Sequence, residues 1–137
     1  PRVGEPHSTL GRLYTGQTQD RASADEFRKA IDVRPDHVSA LAGLAWVLAT
    51  SPDSAVRNPQ EAVGTAEHAA ALSGNADPAA LDTLAAAYAA AGDFVRATAT
   101  GERALTAASR VGNTTLADQI RSRLRLYRGR QPYLRAK

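Results

Sequence analysis

Leu41-Ala42-Gly43-Leu44-Ala45-Trp46-Val47-Leu48 and Leu81-Asp82-Thr83-Leu84-Ala85-Ala86-Ala87-Tyr88 are one pattern written twice, forty residues apart. Each places a large residue first, a large–small pair three positions later, and another large residue three positions after that. His7, Leu10-Gly11 and Tyr14 repeat the arrangement 34 residues ahead of the first of these. Spacing of this kind sets four side chains along one stripe of an α-helix. The small member, Gly11, Ala45 or Ala85, lets a neighbouring helix come close. A second apolar set follows each copy: Phe27, Ala30 and Ile31; then Ala62, Ala66 and Ala69; then Ala97, Ala104 and Leu105. The pattern predicts an all-α chain of paired antiparallel helices, in units of about 7–35, 40–74 and 78–111.

Local punctuation agrees. Asn58-Pro59-Gln60-Glu61 supplies a capping asparagine, a first-turn proline and a glutamate that can reach back to the cap. Asp77-Pro78 repeats the device before the third unit, and Asp36 follows Pro35 before the second. Gly92-Asp93 and Gly112-Asn113-Thr114 each end one helix and begin the next. Thr114–Arg128 predicts a further, seventh helix, with Leu116, Ile120, Leu124 and Tyr127 on one face and Arg121, Arg125 and Arg128 along another. Gly129 stops it, and Gln131-Pro132-Tyr133 begins an irregular tail.

The repeated stripe, with Pro35 closing the first unit nine residues before Leu44, resembles the tetratricopeptide repeat family, whose unit is a 34-residue helix–turn–helix. The likeness covers residues 1–113. It implies an α-solenoid of three helix–turn–helix repeats, covered at its end by a capping helix and basic tail over 114–137. Pro1 stands nine residues before Leu10, in the register of Pro35, so the chain is expected to begin at the end of an earlier repeat, with more repeats upstream. The second unit departs from the family by about five extra residues in Thr50–Glu61 and one more near Ser73–Ala76. Leu44–Thr50, Arg57-Asn58, Leu81–Ala85 and Leu126-Tyr127 with Pro132-Tyr133 also resemble a C-terminal repeat module of large bacterial proteins. Such proteins often join the repeats to a membrane-embedded or enzymatic portion.

Composition narrows the chemistry. The 137 residues include 29 alanines but no cysteine and no methionine, which excludes thiol catalysis, disulfides and cysteine-ligated zinc. No apolar run approaches the length of a membrane span. His7, His37 and His68 occupy unrelated repeat positions without metal-ligand spacing, and no cofactor is expected. Asp36-His37 and Ser39 are triad residue types, but neighbours at a helix start rarely converge on one substrate atom. No glycine-rich phosphate loop is present, since Gly92 and Gly101 stand alone. The reading is non-catalytic.

What remains is binding. In the family that the repeats resemble, first helices line a concave groove for a peptide or a partner helix. The corresponding positions here are Ser8, Arg12 and Thr15, then Gly43, Trp46 and Thr50, then Asp82, Thr83 and Ala86. The family's carboxylate-gripping members use several lysines, arginines and asparagines there, and this floor offers little beyond Arg12. Trp46 is read either as an anchor for a partner's apolar side chain or as filler between first helices. Charge is lopsided: the segment from Thr114 onward carries seven basic groups and one acid, for +6, while the rest of the chain sums to −3. Arg121, Arg125 and Arg128 therefore form a local basic patch, read either as a contact for an anionic partner or as the solvated outer face of the last helix. Few aromatics interleave with them, which disfavours nucleic acid. The alternatives to a peptide-binding scaffold are an architectural spacer, self-association, and an anionic contact through the basic end.

Overall fold

The computed structural model describes residues 9–136, with side chains from Gln19 onward. Among these residues the fold is all-helical: α1 Thr9–Val33, α2 Val38–Thr50, α3 Pro59–Leu72, α4 Pro78–Ala90, α5 Phe94–Arg110 and α6 Thr114–Arg128. The count differs from the sequence expectation at one place. The first unit was expected as two helices and is one helix of 25 residues. The reason lies in the turn chemistry. The turns before α5 and α6 each use a glycine with positive φ followed by a capping side chain: Gly92 (φ 83°) precedes the α5 cap Asp93, and Gly112 (φ 76°) precedes the α6 cap Asn113, while the turn before α3 uses a cap and a proline, Asn58-Pro59. Gly16 is followed by Gln17, which offers no cap, and no proline lies between Pro6 and Pro35. The last helix is accordingly the sixth.

The other caps close as their residue types dictate. Asn58, Asp77, Asp93 and Asn113 each accept a hydrogen bond from the backbone N–H three residues on. At α2 the cap is His37 rather than Asp36. Its Nδ1 accepts from the Ala40 N–H at 3.2 Å, so the imidazole does the work of an asparagine. Ser51–Asn58, the extra stretch in the second unit, is a loop pinned where the Asn58 N–H donates to the Leu48 carbonyl.

Packing follows a two-row scheme. Helices α2, α4 and α6 touch in succession; α3 packs on α2 and α4, α5 on α4 and α6, and α1 on α2. Alanine makes this possible. Ala45, Ala62, Ala66, Ala85, Ala97 and Ala104 have no exposed surface, so helix axes approach where a larger side chain would hold them apart. The large residues fill two continuous clusters. One gathers Leu44, Leu48 and Leu84 with Phe27 and Ile31 of α1. The other gathers Leu81, Ile120, Leu124 and Tyr127. Two glycines complete the fit. A Cβ on Gly43 would lie 2.5 Å from the Phe27 ring, and one on Gly101 would lie 2.7 Å from Leu124 Cδ2.

Candidate interaction groove

Trp46, Thr50, Asp82 and a residue that sequence reading did not single out, Arg123, meet where α2, α4 and α6 run side by side. The Arg123 guanidinium lies over two neighbouring rings, 4.9 Å from the Trp46 centroid and 4.8 Å from that of Tyr133. Its Nη1 donates to Asp82 Oδ2 at 2.6 Å. The two rings are 5.8 Å apart and tilted by 36°. A guanidinium that lies over aromatic rings and donates to a carboxylate gains cation–π attraction and a charge-assisted bond together. Burial pushes the Asp82 carboxyl above its ordinary value, and the Arg123 charge and hydrogen bond pull the other way.

Tyr133 belongs to the tail. After α6 the chain reverses at Arg130, a non-glycine residue at φ 59°, while the Gln131 N–H returns to the Leu126 carbonyl. Residues 131–136 then run without regular secondary structure back across the helices toward α2. Tyr133 and Arg135 are partly buried, whereas Pro132, Leu134 and Ala136 are exposed. This alternation belongs to an extended segment with one face against a surface. Arg135 is held three ways. Its backbone N–H donates to the Thr50 carbonyl at 2.8 Å, its Nε to Thr50 Oγ1 at 3.0 Å, and its Nη2 to Asp20 Oδ1 at 2.8 Å. Asp20 Oδ2 accepts from Ser51 Oγ at 2.6 Å, which fixes the carboxylate in place. Thr50 Oγ1 in turn donates to the Trp46 carbonyl at 2.7 Å.

The positions expected to line a groove separate into two groups. Trp46, Thr50 and Asp82 belong to this constellation. Gly43 does not, because the Phe27 ring of α1 sits over it. Thr83 and Ala86 are buried, and Ala86 lies in the cluster that also holds residues of α2. Ser8 falls outside the described residues, and Arg12 and Thr15 are described only as backbone of α1. The basic patch is exposed, but Arg121 pairs with Asp118 at 2.7 Å and Arg128 with Glu102 at 3.0 Å, leaving Arg125 as the exposed member for which no ion pair is seen among the described residues. Asp20, Ser51, Arg123 and Arg135 were missed. No spacing in the sequence signals them, because the alternation that marks the tail as extended is one of burial, visible only once the surface beneath it is known.

One buried polar group stays unmatched. Tyr127 is 1% exposed, and its hydroxyl has no hydrogen-bond partner among the described residues. Burial, with the Asp82 charge nearby, drives that phenol well above its ordinary pKa, so it stays neutral. Removing an unsatisfied hydroxyl removes a desolvation cost. Tyr127→Phe is therefore expected to keep or raise stability, by up to about 1 kcal/mol, in a urea titration; a loss above that would mean the hydroxyl has a partner.

Among the described residues no three His, Asp or Glu side chains gather as a metal set, and no helix is long and apolar enough to cross a membrane. Comparison with family models, curated proteins and solved structures finds no match to this chain.

Proposed function

We propose that this chain is a non-catalytic protein-interaction module, a short α-solenoid of tetratricopeptide type whose α2–α4–α6 face receives an extended peptide. One observation carries the reading: that face already holds an extended segment, the chain's own residues 131–136, by alternate side chains and a backbone hydrogen bond. A rigid helical row with an aromatic anchor, a fixed carboxylate and a free carbonyl lowers the ordering cost of binding, because only the peptide has to be immobilised. The succession of contacts α2–α4–α6, with α3 and α5 each bridging two of them, supports the solenoid.

Selection from a random peptide library on a chain ending at Arg130 tests the proposal. Enriched peptides are expected to perturb the fluorescence of Trp46, the sole tryptophan. They are also expected to lose affinity for a Trp46→Ala variant whose helical circular dichroism is retained. If no peptide is enriched and the mass by light scattering rises with concentration, self-association replaces this reading.

A further inference from the structure

The tail does more than fill the face; it states what the face selects. We propose that the groove binds, in trans, a peptide segment carrying an aromatic residue and, two positions later, an arginine, and that Tyr133 and Arg135 are the built-in competitor for that ligand. This rests on the reading of the α2–α4–α6 face as a peptide site and adds its specificity.

The chemistry of an emptied groove makes the case. Asp20 is 9% exposed, and among the described residues its carboxylate is bound by Ser51 and by Arg135. When the tail leaves, that carboxylate keeps one hydroxyl donor and no cation from the set seen here. A carboxylate fixed in place by Ser51 offers only acceptors at the vacated position, so a cationic donor fits it best. The Thr50 Oγ1 and backbone carbonyl, which accept from Arg135 Nε and N–H, favour a guanidinium over an ammonium because the planar fork meets several acceptors at once. At the other end, Arg123 keeps Trp46 and loses Tyr133, and Trp46 loses the ring that packs beside it. An aromatic ring is the side chain that restores both contacts. The distance between the two places is set by alternate residues of an extended chain, which gives the pattern aromatic–x–arginine. The residue between them points away, as exposed Leu134 does, and is free to vary.

The tether sets the threshold. Only Gly129 and Arg130 separate α6 from the tail, and a short link gives an effective local concentration on the order of millimolar. A free peptide must outcompete that concentration, so weak or partial matches are refused.

The probe is the synthetic hexapeptide Gln-Pro-Tyr-Leu-Arg-Ala, titrated against the intact chain and against a Tyr133→Ala/Arg135→Gln variant, with Trp46 fluorescence and calorimetry as readouts. The variant is expected to bind it at least tenfold more tightly than the intact chain. Peptides with Tyr changed to Ala, or Arg changed to Gln, are expected to bind the variant at least tenfold more weakly, and Asp20→Asn in the variant should erase the preference for arginine. Should the double variant fail to fold, Arg135→Gln alone replaces it with the same comparisons. Equal binding to intact chain and variant, no binding to either, or indifference to the two peptide changes overturns the proposal. If library-selected peptides still bind through Trp46 without the pattern, the peptide-site reading survives and only this specificity fails; if none bind, both fall.

Discussion

Replacing Arg123 with methionine is expected to lower stability by about 3–5 kcal/mol at neutral pH, although the site is on the face of the helix row and not in its centre. The substitution keeps the length and apolar stem of the side chain, and it strands Asp82. That carboxylate is 6% exposed, and Arg123 is its partner at 2.6 Å. The loss would come less from the attraction removed than from the charge left behind. Asp82→Asn in the Arg123→Met background is therefore expected to recover most of it, a coupling that a double-mutant cycle measures directly.

The pH dependence has a definite sign. Burial holds the Asp82 carboxyl above the ordinary 3.8, and removing the cation that pulls it down raises it further. A carboxyl that binds its proton more tightly in the folded chain contributes stability that is full below the unfolded value and lost as pH rises through the folded one. The Arg123→Met deficit should accordingly be smallest near pH 4 and largest at pH 7 and above, by urea titration at each. A deficit that is independent of pH would show that packing, not charge, is what Arg123 supplies.

Leu124→Ala is expected to cost about 2–5 kcal/mol, and Gly101 decides where in that range it falls. Leu124 is 1% exposed and lies over Gly101, with Ala85 beside that glycine. Its neighbours there have little or no side chain with which to close the gap, so the cavity term is retained nearly in full. The same geometry predicts a change of sign. Gly101→Ala alone would put a Cβ 2.7 Å from Leu124 Cδ2, and overpacking of about 1–3 kcal/mol exceeds the gain of up to about 1 kcal/mol from a better helix former. In the Leu124→Ala chain the clash is gone, and Gly101→Ala should stabilise. Thermal unfolding of the three variants and the unaltered chain checks both signs.

Much of the helical framework was legible beforehand because its causes are local. The large–small stripe at Leu41, Leu44-Ala45 and Leu48 needs only the helical period to become a buried face, and Asn58, Asp77, Asp93 and Asn113 cap from within three residues of themselves. The first unit misled for the complementary reason. Its apolar spacing matched the later units, but the turn it required had no glycine-plus-cap pair to make it, and the helix ran through to Val33. Trp46, Thr50 and Asp82, which the same reading places where first helices should face, do meet Arg123 and the tail. Gly43 was placed by the same rule and lies under the Phe27 ring, and Ala86 lies in the cluster shared with α2, because what covers a position depends on the neighbouring helix.

The sequence by itself determined the helical class, the caps that open α3, α4, α5 and α6, the alanines that line the contacts between helices and the lack of any thiol. Only the tertiary structure decided that Asp20, Thr50, Asp82, Arg123 and Arg135 form one constellation, its farthest members 115 positions apart. Helical period and capping act over a few positions, so a chain read in order displays them. A guanidinium finds its carboxylate through space, after the helices have stacked and the turn at Arg130 has sent the tail back, and no spacing along the chain encodes that meeting.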